Sequence, residues 1–429
     1  MTQIVVIGGG AAGFFGAIKA AESNPKAGVT ILEAAKEPLA KVRISGGGRC
    51  NVTHHCFDVS QLVNYYPHGG KALRGAFSRF QPQDTIKWFE LRGVKLKTEA
   101  DGRMFPSTDN SETIVNCLRE SATFAGVNLR LNSPVKSVKK QEESFLIELK
   151  RDEQIRADKL LIATGSSPFG YRTAQDLGHS LVSPVPSLFT FQITDPRLKD
   201  LLGVAVDKVR VRLGGSKLEQ IGPLLITHWG VSGPAILKLS AWGARVLHEQ
   251  HYRMPLIINW LGDYHPEKLR EIILQTKSEY PKRKLFNYCP FEQLPKRLWQ
   301  SLLSYLTVNS ETPWAELSKN TLNRLMTELQ QGEYQIKGKG VFKEEFVTSG
   351  GVNLQEVDFK TMESKICPGL YFAGEVLDID AVTGGFNFQS AWTTGYLAGQ
   401  AMGNRRVLEA PEWGKWGSGE VGKWGAFFQ

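Results

Sequence analysis

The residues with the clearest chemistry stand at the start of the chain. Gly8-Gly9-Gly10-Ala11-Ala12-Gly13 separates an apolar run, residues 3–7, from a stretch with helical spacing and several alanines. Glycines at this GxGxxG spacing suit a tight turn (Gly8), close approach of backbone N–H groups to a pyrophosphate (Gly10) and close packing of helix on strand (Gly13). The N-terminus of the following helix adds partial positive charge. GVTILE, residues 28–33, reads as a second strand, and Glu33 ends it about 20 residues after Gly13. A carboxylate there accepts from ribose hydroxyls and repels a 2′-phosphate, which argues against NADP in this pocket. The bland alternative is a glycine-rich turn without a ligand.

The fingerprint serves NAD and FAD alike, and the far end of the chain separates them. GLYFAGE, residues 369–375, reads as a strand ending at Gly374-Glu375, and Thr383-Gly384-Gly385-Phe386-Asn387-Phe388 opens a helix. A helix N-terminus reached through small residues can stabilise negative charge at the N1/O2 edge of a reduced flavin. Ala163-Thr164-Gly165 ends another strand, placed for a third cofactor contact. An NAD-only dehydrogenase has no need of these later elements. FAD is the expected cofactor, and with a single fingerprint NAD(P)H is expected only as a transient co-substrate.

Lys41-Val42-Arg43-Ile44-Ser45-Gly46-Gly47-Gly48-Arg49-Cys50-Asn51-Val52-Thr53 resembles the signature of the BaiN-type NAD(P)/FAD-dependent oxidoreductases, which include aminoacetone oxidases. THWGVSGP (227–234), TSGGV (348–352), FAGEVLD (372–378) and TGGFN (383–387) are similar to the same family, and with the fingerprint they run in order from residue 4 to about 403. The resemblance implies an α/β fold: a split Rossmann-like FAD-binding domain with an inserted β-barrel-like domain and a small helical domain. It places FAD contacts on Gly8, Gly10, Gly13, Glu33, Lys41, Ser45, Gly46, Gly47, Gly48, Arg49, Cys50, Asn51, Val135, Thr164, Gly374, Gly385, Phe386, Asn387 and Phe388. Ala12, Gly165 and Glu375, inside the same motifs, complete the candidate set. The sequence departs from the family at Gly165-Ser166-Ser167, where a run of glycines is usual.

Other residues have the types of catalytic or metal-binding groups. Cys50, His54, His55 and Cys56 fit no common zinc spacing, and a flavin-facing loop explains them better, so no metal is expected. Cys50 keeps two further readings, a redox thiol and a covalent flavin attachment. His228, in a Gly/Ser/Pro-rich turn, is a candidate acid or base, or else a structural histidine. Arg43 and Arg49 suit a pyrophosphate or an anionic hydroquinone; otherwise they tie the loop to carbonyls. Arg49, His228 and Asn387 are the catalytic candidates, none with an assigned step. Phe189, Phe191, Trp229 and Trp260 read as core, with one or two left to line an apolar pocket.

An α/β frame must position these groups. QIVVI, GVTILE, VNLRLNS, SFLIELK and KLLIATG read as strands, residues 135–158 as a hairpin, and residues 83–92 and 111–125 as helices. Residues 34–75 show little periodicity, which inside a compact domain marks a functional loop. From about residue 190 the chain becomes β-rich, residues 265–331 are helical in spacing, and 333–351 turn β again. The expected division is an FAD-binding domain (1–189 and 346–405), a β-rich substrate domain (190–263 and 332–345), a helical domain (264–331) and a flexible Trp/Gly-rich tail (406–429).

The 429 residues are 41% hydrophobic and 22% charged, which excludes a fibrous or disordered chain. Five scattered cysteines without CxxC exclude a disulfide framework and a thioredoxin-like centre. No signal peptide and no apolar run of membrane-spanning length are present, so the cytoplasm is expected. The net charge of +9 is densest at Lys282-Arg283-Lys284 and Lys296-Arg297, read as a solvated face rather than a nucleic-acid surface. The expected function is two-electron hydride transfer on a small organic substrate, in the reductase or the oxidase direction, with NAD(P)H as donor or O2 as acceptor. A flavin-dependent RNA-modifying or nucleic-acid-binding protein is the alternative, resting on the basic charge. A non-catalytic flavin-binding module is the third reading.

Overall fold

The computed structural model describes residues 1–150, 152–340 and 347–404. The tail expected at 406–429 lies outside the described residues, as do 341–346 and 405 of the expected domain ranges.

Strand β1 (Gln3–Ile7) is apolar from Ile4 onward because it is covered there on both faces, and Ile4 and Val6 are 0% exposed. It lies inside a seven-stranded sheet. The spatial order is Val357–Asp358, Glu363–Ser364, Leu370–Phe372, Lys159–Ile162, β1, β2 (Gly28–Leu32) and Asn128–Arg130. From Leu370–Phe372 to Asn128–Arg130 every neighbour is parallel. The two short strands at the other edge are antiparallel. Strands from both ends of the chain thus join side by side in one mixed α/β, Rossmann-like sheet. Its parallel strands end along a common edge, where open α/β sheets bind ligands.

Helix α1 (Ala11–Ser23) follows β1 and packs along the last helix, Phe386–Gly403. Glycines make this possible: a Cβ on Gly395 would stand 2.6 Å from the Ala12 carbonyl oxygen, and one on Gly399 2.3 Å from that of Gly16. Residues four apart share a helix face, so these glycines form one seam along which the backbones touch.

Residues 135–158 form a three-stranded meander rather than a hairpin, with Val135–Gln141, Ser144–Leu149 and Gln154–Ala157 paired in turn. The added strand arises because Asp152 takes a left-handed conformation (φ 61°) that turns the chain back after Leu149. Helix α2 (Ala40–Gly48) occupies part of the stretch expected to be irregular. It breaks at Ser45–Gly47, where Gly46 and Gly47 have φ of 58° and 69°.

A second core lies farther along the chain. Its sheet has the order Gly332–Ile336, Met254–Asn259, Ala205–Leu213, Glu219–Thr227, Gly230–Ser232, Phe191–Gln192, Gly338–Lys339, antiparallel throughout. The outermost strands are separated in sequence by Lys337 alone. The single run 332–339 therefore pairs with Met254–Asn259 at one end and with Phe191–Gln192 at the other. Helices Pro266–Glu279, Lys296–Tyr305 and Lys319–Gln331 close this core over Trp260, Trp299, Trp314 and Tyr334, each 0% exposed. No helix among the described residues is long and apolar enough to cross a membrane.

Candidate active site

The fingerprint glycines divide the work that their spacing suggests. Gly8 has φ +109°, and a Cβ there would stand 2.4 Å from the Ala163 carbonyl oxygen. On Gly13 it would stand 1.9 Å from the carbonyl oxygen of Gly8. Both glycines are therefore demanded by the protein itself. Gly10 differs: it precedes α1 with an ordinary φ of −93°, and a Cβ there meets nothing within 4 Å. Nothing in the described fold requires a glycine at this position, whereas a close-lying ligand does. The free N–H groups of the first turn of α1 open into the same space.

Further candidates surround this cradle. Glu33 Oε2 accepts from Gly9 N (2.7 Å) and Oε1 from Ala35 N (2.8 Å), so the carboxylate is fixed at the end of β2. Ser133 N donates to the Glu33 carbonyl (2.8 Å), which brings the buried Val135 to the same edge. Thr164 Oγ1 is shut off from solvent and has no hydrogen-bond partner among the described residues. A Cβ on Gly374 would come within 2.9 Å of the Ala12 Cβ, and one on Gly165 within 3.7 Å of Glu375 Oε2. Lys41 Nζ donates to Glu375 Oε2 at 2.5 Å, while Glu375 Oε1 accepts from Thr348 N at 3.1 Å. An open cradle, an orphaned hydroxyl and helix N–H groups left without an intrahelical acceptor at the ends of the parallel strands fit a dinucleotide cofactor.

The N-terminus of the last helix forms the second part of the site. With its amide oriented to satisfy both polar atoms, Asn51 accepts from Gly385 N (3.0 Å) and donates to the Thr53 carbonyl (3.1 Å). The Gly385 N–H is therefore already engaged, and the donors left for a ligand are those of Phe386, Asn387 and Phe388. Asn387 clasps the preceding loop: Oδ1 accepts from Ala381 N (2.9 Å) and Nδ2 donates to Ala381 O (3.0 Å). Tyr66 OH donates to the Phe386 carbonyl (2.7 Å), and Phe388 stacks on Trp392. His54 lies against the Phe386 ring, 4.5 Å between centroids, with Nδ1–H donated to the Gly384 carbonyl (3.0 Å). Burial holds the His54 imidazole below its ordinary pKa, so it is neutral near pH 7.

The remaining candidates take other places. Arg49 donates to Glu99 (2.7 Å), lies 4.0 Å over the Phe105 ring, and is held above its usual pKa by the Glu99 hydrogen bond. Arg43 donates to Glu112 (2.6 Å) and the Pro38 carbonyl (2.7 Å). Both arginines tie down the loop that carries Ser45 to Asn51. Within that loop Gly47 and Gly48 have positive φ and open space at the Cβ position. Burial pushes the Cys50 thiol up to about 12, which keeps it protonated and removes the thiolate that redox or covalent chemistry needs. His228 is exposed at the turn between Glu219–Thr227 and Gly230–Ser232, its ring against Trp229. Among the described residues, no hydrogen bond, ion pair or ring contact joins it to the cluster around Gly10 and Gly385. No group of acidic, His and Cys side chains able to hold a metal occurs among the described residues.

Sequence reasoning missed a polar set beside this site: His68, Ser187, Ser349 and Asp380. Ser349 lies in the TSGG motif and Asp380 just past FAGEVLD, so each motif marked the place without showing the partner. Tyr171 OH was missed too; it is buried and without a hydrogen-bond partner among the described residues, and its pKa is raised by burial and by Glu375 and Asp378.

A family model described as the HI0933-like protein Rossmann domain matches residues 2–401. The chain belongs to the HI0933-like family. Its members are FAD-dependent oxidoreductases, in accord with the BaiN-type resemblance of its motifs. The chain is 32% identical over 412 residues to a ribosomal RNA dihydrouridine synthase of Escherichia coli (strain K12), covering 93% of this chain and 97% of that protein. It is 29% identical over 420 residues to a 3-dehydro-bile acid delta(4,6)-reductase of Clostridium scindens, covering 94% and 100%. A solved 3-ketosteroid-delta4-(5alpha)-dehydrogenase from Rhodococcus jostii RHA1 superposes with TM-score 0.51 at 14% identity, covering 94% and 97%, which shows a common fold.

Proposed function

We propose that this member of the HI0933-like family reduces a carbon–carbon double bond conjugated to a carbonyl, and that its substrate is a uracil base in RNA. The observation that carries the reading is end-to-end similarity to proteins whose names share this chemistry. Dihydrouridine is uridine with its C5=C6 bond saturated beside a carbonyl, and the delta(4,6) double bonds of a 3-oxo steroid are conjugated in the same sense. The choice of RNA is supported by the net charge of +9, since a basic protein concentrates a polyanion by counterion release. A small enone is the second reading, favoured by the bile-acid reductase.

FAD, when bound, supplies the hydride. The chain's part is to bind, orient and neutralise. The Gly10 cradle and the first turn of α1 take the pyrophosphate, and Glu33 takes the ribose hydroxyls. The N–H groups of Phe386 to Phe388 would stabilise the negative charge that accumulates on the flavin's pyrimidine edge on reduction. With one fingerprint in the chain, NAD(P)H binds only in passing. Lys41, Glu375 and the β-rich core border the substrate side.

Anaerobic incubation of the FAD-loaded protein with NADH or NADPH and unmodified ribosomal RNA tests this reading. The expected result is dihydrouridine by nucleoside mass spectrometry, and retention on RNA that falls steeply as salt rises. Reduction of an enone alone would select the second reading. Oxidation of a small amine with O2 uptake, and no reduction of either acceptor, would refute both.

A further inference from the structure

Asp380 is wholly buried, and its carboxylate is held from both sides: Oδ1 lies 2.5 Å from His68 Nδ1, and Oδ2 accepts from Ser187 Oγ at 2.8 Å. Ser349 Oγ lies 3.0 Å from the same His68 nitrogen. A buried carboxylate demands a hydrogen-bonded partner, so Asp380 fixes the imidazole with its proton on Nδ1. The other nitrogen, Nε2, has no partner among the described residues, and the His68 side chain is 19% exposed. A histidine oriented by a buried carboxylate, with its far nitrogen open, is the arrangement of a proton-transfer group.

Its position joins it to the site above. Thr348 N binds Glu375, and the next residue, Ser349, meets His68. Asn387 clasps Ala381, the neighbour of Asp380, to the start of the last helix. The dyad is thus fixed between Gly374-Glu375 and the helix N-terminus at Phe386. The other charged groups of this loop are already neutralised, Asp378 by Arg245 of helix Ala244–Glu249 (2.7 Å) and Glu375 by Lys41. Asp380 is therefore the charge that the imidazole faces.

We propose that His68 is the proton donor of the reduction and that Asp380 is its positioning residue. This rests on the proposed function. The β carbon of the conjugated double bond receives a hydride, for which reduced FAD is the source and is itself oxidised. The electron pair of the double bond moves toward the carbonyl as an enolate. The α carbon then takes a proton from Nε2–H of protonated His68; a C–H bond forms, the N–H bond breaks, and neutral His68 regains its proton from water. A purely structural tie between the loops would use Nδ1 alone and leave no role for an open Nε2.

The test uses the FAD-loaded full chain, reduced anaerobically and mixed in D2O with unmodified ribosomal RNA or with 2-cyclohexenone. His68→Gln should slow reoxidation of the flavin by the acceptor by about a hundredfold or more, the scale of a lost general acid. Flavin reduction by NAD(P)H should stay within about twofold of the wild type. The alkaline fall of the wild-type rate should vanish in the variant, along with the stereospecific placing of deuterium on the α carbon. Independently of turnover, the downfield Nδ1–H proton resonance of the FAD-loaded protein should disappear in Asp380→Asn. Should His68→Gln fail to hold FAD, Asp380→Asn decides through that resonance, the acceptor rate and the pH profile. Wild-type acceptor rates, pH profile and deuterium placement in a folded variant would overturn the proposal. A wild-type protein that reduces neither acceptor would instead sink the proposed function, and this inference with it.

Discussion

Replacing Gly10 by valine should separate cofactor binding from folding. The backbone at Gly10 is in an ordinary region, and a Cβ there has nothing within 4 Å. The folding cost is then limited to a poorer helix cap, about 1 kcal/mol or less. The added side chain instead fills the space through which the N–H groups of α1 reach a pyrophosphate. Losing two hydrogen bonds to a charged group, at roughly 1.5–3 kcal/mol each, removes about 3–6 kcal/mol of binding. That is a weakening of about 10²- to 10⁴-fold. Gly8→Ala is the contrasting control, because its Cβ would stand 2.4 Å from the Ala163 carbonyl oxygen at a φ of +109°, and the fold itself should suffer. Fluorescence titration of the apoprotein with FAD gives the affinity, and thermal melting without FAD gives the stability. A folded Gly10→Val protein that binds FAD within about threefold of the wild type would refute the placement of the pyrophosphate.

Glu33→Ala should weaken FAD binding by about 1–3 kcal/mol by calorimetry. An unchanged affinity would mean that the carboxylate serves only Gly9 N and Ala35 N. Gly385→Val should lose melting temperature and FAD content together, because its Cβ would stand 2.5 Å from the Thr53 carbonyl oxygen at a φ of +90°. Wild-type melting of that variant would show that the turn is looser than the contacts require. His54 is held below its ordinary pKa by burial, so its contribution to stability is full above about pH 6.5 and is lost as pH falls toward the folded value. The wild type should therefore lose melting temperature relative to His54→Asn between about pH 7 and pH 5.5. Parallel melting curves for the two proteins across that range would contradict the assignment.

The glycine positions of the fingerprint were legible because their requirements are local. A tight turn, a close ligand and a helix packed on a strand each demand glycine at a particular step, so Gly8, Gly10 and Gly13 announce themselves in any sequence containing them. The parallel strands were legible for a similar reason: a strand covered on both faces must be apolar where it is buried, as Ile4–Ile7 and Leu160–Ile162 are. The seam of Gly395 and Gly399 against α1 was not legible, because it depends on which helix the last one packs against.

Partners distant in sequence were decided by tertiary structure alone. Lys41 and Glu375 stand 334 residues apart, and His68 and Asp380 are separated by 312. No spacing rule connects such pairs; they meet because the split sheet returns the chain's last strand, Leu370–Phe372, to the side of Lys159–Ile162, which itself pairs with β1. Topology also set the contacts of ambiguous side chains. Arg49 had the charge to face a phosphate, but a short sheet sets Glu99 beside it and it ties the loop instead. Asn387 had the chemistry of a catalytic amide, yet Ala381 lies where both of its polar atoms are used. Residue type and local backbone demand determined which groups the chain carries and where it must turn, because those demands act within a few residues. Which acid meets which base was left to the fold, because hydrogen bonds and charges act over a few ångströms of space regardless of distance along the chain.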